Sequence, residues 1–280
     1  MKKILVLFLL AISIVTAFST CSQEDSDRFV LISGGVFVNK NSNYYGNNIN
    51  ISDFYIGKYE VTQKEWTEIM GSNPSQFKGD DLPVETVTWY DCIEYCNKRS
   101  INEGLEQYYN IDKNNEDPEN KSKYDTIKWI VTINTEANGY RLPTEIEWEY
   151  AASGGKLSKN YTYSGSNKAD DVAWFWINSG DKYLSGFWNW DVIEGNNNQT
   201  KLIGSKQPNE LRLFDMSGNV REWCWDWYDD EKTCRVWRGG GWMGDENSCE
   251  ISCRGYFEAN GLGSDTGLRV CRNAEEKQVQ

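Results

Sequence analysis

Eight cysteines and no histidine set the chemistry open to this chain. Imidazole is the usual general base and the commonest nitrogen ligand for zinc, copper and non-haem iron. Its absence excludes Ser/His/Asp, Cys/His and His-metal sites together. Cysteine remains, as nucleophile or soft-metal ligand. Seven cysteines follow Cys21: Cys92, Cys96, Cys224, Cys234, Cys249, Cys253 and Cys271. None of them makes a C-x-x-C pair, and the odd number predicts at least one free thiol. Cys92 and Cys96 share a predicted helix face with Trp89 and Ile93, the pattern of small buried hydrophobic residues. A net charge of −13 argues against nucleic acid, which needs a basic footprint, and no phosphate-binding glycine loop is present.

The elements that must position any site are best marked near the C-terminus. Trp223, Trp225 and Trp227 alternate with other residues, so a strand of period two would load one face with indole. Phe29 to Val38 predicts two strands broken at Gly34 and Gly35, and Phe54 to Val61 predicts another. Thr62 with Glu65 and Thr144 with Glu147 are capping boxes, Val61 is placed to staple against Trp66, and Thr88 opens a third helix. Asn102 to Asn138 is polar around one predicted strand, Ile127 to Ile133, and reads as a surface insertion. Trp174, Trp176, Trp188 and Trp190 lie in a background of Gly, Asn and Ser, where core filling beneath long loops is expected over an exposed binding patch. Between Arg238 and Arg269 no helical or strand period is visible.

Lys2 and Lys3 before the apolar run Ile4 to Phe18 predict a signal peptide over 1–20, the run being short for a membrane span. Cys21 directly after it resembles a bacterial lipoprotein acylation site, although Phe18 and Thr20 depart from the usual residues there. The expected organisation is a lipid-anchored tether over 21–27, one domain over 28–273 with a variable region at about 235–272, and a tail over 274–280. The expected location is the bacterial envelope, at the outer membrane or cell surface, with the membrane reached through the lipid on Cys21.

The order FVLISGGVF, FYIGKYEVTQKEW, LPVETVTWYDCIEYCN, YRLPTEIEWEYAA, LFDMSGNVREW, RVWRGGGW and TGLRVCR resembles the formylglycine-generating enzyme and sulfatase-modifying-factor family from Phe29 to Arg272. The resemblance implies an α+β, C-type-lectin-like fold with small antiparallel sheets, few short helices and much irregular structure. Enzymes of that family hold copper on two cysteines, six and eleven residues after the Arg of the RGG motif. Counted from Arg238, those positions are Gly244 and Cys249, so the first thiol is missing. A lone thiolate cannot supply a two-thiolate Cu(I) centre. The chain is therefore expected to have no catalytic residues and to require no cofactor, with Cys249 packed or paired with another cysteine.

Within the family the chain most resembles the variable lipoproteins of diversity-generating retroelements, of the treponemal kind, whose C-terminal segment is randomised. That likeness implies a non-catalytic display surface for a protein or other macromolecular ligand. Arg238, Gly239, Gly240, Gly267, Leu268 and Arg269 match the frame. The residues expected to vary and bind are Trp237, Gly241, Met243, Gly244, Asp245, Glu246, Asn247, Ser248, Glu250, Gly255, Tyr256, Phe257, Glu258, Asn260, Gly261, Leu262, Ser264 and Asp265. The family's DMxGNxxE stretch further implies a structural calcium on the Asp215 and Glu222 carboxylates and the Gly218 and Val220 carbonyls. The alternative for these carboxylates is a turn at Asp215 and an arginine partner for Glu222. Two other classes stay open, a copper-dependent formylglycine-generating oxidase acting on sulfatase cysteine and a structural envelope protein.

Overall fold

The computed structural model of the protein describes residues 28–274. The expected signal peptide, Cys21, the tether and residues 275–280 lie outside the described residues. Among the described residues no helix is long and apolar enough to cross a membrane.

Three helices begin where the capping chemistry places them. In α1 (Gln63–Met70), α2 (Trp89–Asn102) and α3 (Glu145–Ala152), the cap threonine accepts from the backbone of the third helical residue, whose carboxylate returns the bond. Those third residues are Glu65, Asp91 and Glu147. Two shorter helices follow, α4 (Ala169–Val172) and α5 (Trp190–Gly195).

The strands form three small sheets. β1 (Phe29–Ile32), β2 (Phe54–Gly57) and β9 (Cys271–Asn273) pair antiparallel, which brings the two ends of the described chain into one sheet. β3 (Tyr109–Glu116) and β4 (Trp129–Ile133) make a hairpin. The third sheet, in the order β7-β6-β5-β8, comprises β5 (Arg221–Trp227), β6 (Arg235–Arg238), β7 (Arg254–Phe257) and β8 (Thr266–Gly267). Its β5–β8 pair is parallel, a departure from the all-antiparallel expectation.

That third sheet divides the interior. Trp223 and Trp225 face a core built with Trp66, Trp89, Tyr95 and Tyr109, whereas Cys224 and Val236 face a second core with Trp148 and Phe54. Alternation along β5 thus serves two cores, as period two requires. The four fully buried indoles of the described residues all have acceptors: Trp223 donates to the Val87 carbonyl (3.0 Å), Trp89 to that of Cys224 (3.0 Å), Trp242 to that of Ser264 (2.8 Å) and Trp148 to the Glu222 carboxylate (2.6 Å). The Arg235 guanidinium lies between the rings of Trp89 (3.8 Å) and Trp227 (3.6 Å). Burial lowers its pKa to about 10.

Several expectations are corrected. After β1 no second strand forms; Gly35 makes a single bridge to Ile51, and Phe37 enters a core while Val36 and Val38 stay exposed. The strand from Phe54 stops at Gly57, because the chain turns to bury Glu60. The stretch Asn102 to Asn138 holds two strands in place of the one expected, β3 pairing with β4. Tyr109 in β3 is buried, and its hydroxyl accepts from the Leu142 N–H (2.9 Å). The irregular tryptophans divide: Trp176 is buried in a third core with Trp242, whereas Trp188 and Trp190 are exposed.

Candidate functional site

The segment between Arg238 and Arg269 is held at both ends by buried ion pairs. Arg238 is fully buried and binds Glu145 (3.0 Å), Glu149 and the Ile251 carbonyl. Arg254 adds a two-pronged contact to Glu145 at 2.7 and 2.6 Å. At the far end Arg269, also fully buried, binds both oxygens of Glu222 (2.7–3.1 Å) and the carbonyls of Gly57 and Phe214. Trp148 joins the two ends: its N–H donates to Glu222 (2.6 Å) and the Arg238 guanidinium lies 5.2 Å from its ring. A left-handed turn at Gly239 (φ 90°) and Gly240 (φ 71°) then starts the loop, where a side chain on Gly240 would strike the Ser248 carbonyl.

The thiol chemistry of this loop is incomplete in three dimensions as well. Gly244 N–H bonds the Gly241 carbonyl, and a Cβ on Gly244 would lie 2.4 Å from the Ser248 hydroxyl. That hydroxyl donates to the Asp245 carbonyl (2.6 Å), so a cysteine at 244 requires the Ser248 side chain to leave that bond. Cys249 is buried and free, and burial pushes its thiol up to about 12. It is therefore a neutral thiol near pH 7, packed among Trp176 and Trp242. Cys253 is also free and half-buried. The residues present do not fit a two-thiolate copper centre. Among the described residues no group of three or more Cys, Asp or Glu side chains is placed to hold a metal ion.

The structure sorts the expected display residues. Asp245, Glu246, Asn247, Tyr256 and Leu262 are exposed; Trp237, Met243, Gly244, Ser248, Glu250, Phe257, Glu258, Asn260, Gly261 and Ser264 are half-buried. Gly241, Gly255 and Asp265 are buried, and their assignment to a solvent-facing surface is corrected. Gly255 is buried because the Trp237 ring lies on it, while the Arg221 guanidinium covers the ring at 4.4 Å. Asp265 faces Arg221 (3.2 Å). Asp245 is exposed but structural, since its carboxylate accepts from Ser248 N–H and caps the short 3-10 turn Glu246–Cys249. Phe257 stacks on Trp223 and packs against the main core.

The calcium set is likewise revised. Both Glu222 oxygens are engaged by Arg269 and Trp148, so Glu222 is an ion-pair partner and not a free ligand. Asp215 accepts from Gly204 N–H (2.6 Å) with one oxygen, while the other is buried without a partner. Its carboxyl is raised to about 6, chiefly by burial. The two carboxylates and the Gly218 and Val220 carbonyls therefore do not fit a calcium cage as a set.

Beside the Met243 loop lies a feature the sequence reading placed in the core. Tyr183, Phe187, Trp188, Trp190 and Val192 are all exposed. Trp188 N–H donates to the Met243 carbonyl (2.7 Å), joining this strap to the loop. Only the clustering of aromatic residues in a Gly/Asn background hinted at it.

Substitution separates the two kinds of position. Asn247→Ala and Leu262→Ala should change unfolding free energy by no more than about 0.5 kcal/mol in urea denaturation. Gly255→Ala should lower it by about 1–3 kcal/mol, because the new Cβ meets the Trp237 ring at 2.0 Å. Equal stability of all three variants would show that Trp237 is free to swing out.

Residues 15–274 match the sulfatase-modifying factor enzyme 1-like domain. A protein of Paenibacillus barcinonensis named chaperone protein LppX is 57% identical over 98% of this chain and 100% of its own length. The inactive Cα-formylglycine-generating enzyme 2 of Bos taurus is 35% identical over 38% of this chain and 33% of that protein. Among solved structures, Treponema denticola variable protein 1 superposes with a TM-score of 0.68 at 31% identity, covering 88% of this chain and 95% of that one.

Proposed function

The chain belongs to the sulfatase-modifying factor enzyme 1-like family, whose C-type-lectin-like, mixed α+β fold it has, and from that premise we propose a non-catalytic protein that binds other proteins. Binding occurs through the surface carried between Arg238 and Arg269. The observation that carries this reading is the loop at Gly244 and Cys249, where one thiol is absent and the other is buried and neutral. A frame clamped by Arg238 and Arg269 keeps its shape whatever side chains the exposed positions carry. Stability and recognition are thereby separated.

Two likenesses support binding in place of oxidation. The Treponema denticola protein is named a variable protein, which agrees with a C-terminal segment that diversifies on a fixed scaffold. The full-length relative of Paenibacillus barcinonensis is named a chaperone, which favours proteins as ligands and supports a second reading in which the ligands are unfolded chains. Export and lipid attachment at Cys21 would place this surface on the bacterial envelope.

The reading is tested with Cu(I) and a peptide bearing one cysteine. The full chain, loaded with Cu(I) under reducing conditions, is expected to hold no stoichiometric copper against a thiol-competing chelator and to leave the peptide free of aldehyde by mass spectrometry. Copper retention together with aldehyde formation would overturn it.

A further inference from the structure

We propose that the aromatic strap 183–192 is the fixed half of the binding surface, and that its ligand is an extended polypeptide segment with apolar side chains beside lysine or arginine. This rests on the protein-binding reading above and adds the site and the chemistry of the partner.

The strap is exposed because it is held in place, not because it is loose. Leu184 N–H bonds the Ile177 carbonyl (2.7 Å), Leu184 packs on the third core and Ile193 is buried within it. Asn189 caps α5 by accepting from Val192 N–H, and Tyr183 hydroxyl donates to Asp170 (2.6 Å). From this support Phe187 projects with 96% of its surface in solvent, and Trp188 with 50%. Five large apolar side chains exposed within ten residues concentrate apolar surface on one short segment, as interaction surfaces do. Aromatic anchors of this type dominate interface energetics.

Charge selects among ligands. Over 181–194 and 241–254 the chain carries Asp181, Asp191, Glu194, Asp245, Glu246 and Glu250 against Lys182 and Arg254, and Arg254 is already paired with Glu145. A second copy of this chain, or an anionic lipid surface, would bring like charge to like charge. A basic segment brings attraction, and its cations can also lie over the indole faces. Phe187 has no hydrogen-bonding edge, and the Trp188 N–H is already engaged by the Met243 carbonyl, so these two anchors meet a ligand through their ring faces. The bond to Met243 makes the strap continuous with the Arg238–Arg269 segment.

The test uses the full chain and two reduced, carboxamidomethylated probes, basic unfolded lysozyme and acidic unfolded α-lactalbumin, with affinity read by biolayer interferometry. Unfolded lysozyme should bind, and more tightly than α-lactalbumin. Phe187→Ser, at a position that touches little of the fold, should weaken it by about tenfold. Asp191→Lys combined with Glu194→Lys should weaken it by about tenfold at low salt, with the difference shrinking at high salt. Unchanged affinity in Phe187→Ser, with loss in Tyr256→Ser or Leu262→Ser, overturns the strap while leaving the protein-binding reading intact. No binding of either probe overturns both. Saturable binding of a chito-oligosaccharide or of phosphatidylcholine vesicles without binding of lysozyme, or a dimer dissolved by Phe187→Ser, overturns the proposed partner.

Discussion

Arg269→Ala is expected to lower the unfolding free energy by about 3–5 kcal/mol, measured by urea denaturation with tryptophan fluorescence. The guanidinium is fully buried and bonds both Glu222 oxygens as well as the carbonyls of Gly57 and Phe214. Its removal leaves Glu222 charged, buried and held only by the Trp148 N–H. Burial, with Asp215 and Glu222 nearby, already pushes the Glu60 carboxyl well above the usual range, so the pocket tolerates no further uncompensated negative charge. Removing the charge from both partners tests the cause. Arg269→Met with Glu222→Gln should be less destabilised than Arg269→Ala alone, since the unpaired carboxylate is then gone. A loss below about 1 kcal/mol in Arg269→Ala would mean that water reaches Glu222 and that the clamp at this end of the loop is not structural.

Stability should also fall as pH rises from 4 to about 6.5, opposite to the habit of proteins whose carboxylates are mostly salt-bridged. Burial raises Asp226 to about 6, and Asp215 likewise. Glu85 and Asp265 are shifted in the same direction, again chiefly by burial. Unfolded carboxyl groups titrate near 4. Between about 4 and 6 the folded chain therefore holds more protons than the unfolded chain, and each rise in pH through that window favours unfolding. Above it the effect is complete. For Asp226 the difference amounts to about 2–3 kcal/mol. Glu147 acts in the other sense: burial opposes its ionisation, but the Arg141 guanidinium holds it below the usual range, so its contribution is lost only in stronger acid.

Asp226→Asn isolates one group, because the amide oxygen can still accept from the Glu145 N–H that now bonds the carboxylate at 2.6 Å. The variant should match the parent near pH 4 and exceed it at pH 7.5 in urea midpoint. A parent midpoint that climbs with pH, or a variant no more stable at pH 7.5, would refute the assignment.

Local chemistry made much of this legible. The three helix starts follow from a threonine and a carboxylate three residues apart, an interaction closed within one turn. That Gly244 and Cys249 stand where the family's enzymes carry two cysteines is implied by the resemblance, counted along one loop from Arg238. Other features depend on residues far apart in the chain. Glu222 was open to two readings until Arg269, across the fold, was found bonded to both of its oxygens. β4 lies within the strand expected over Ile127 to Ile133, whereas β3 is not legible in composition because its buried anchor, Tyr109, gains its value from Leu142 and Trp225.

The sequence by itself determined that no histidine is available to any site and where the helices begin, since both depend on residue identity and spacing within a few positions. Only the tertiary structure decided which loop side chains face solvent. Gly255 lies beneath the Trp237 ring and Asp265 against Arg221, whereas Phe187 and Trp188 project from a segment anchored by Leu184 and Ile193. Exposure in an irregular loop has no period to read. It is set by what the rest of the chain packs against each side chain.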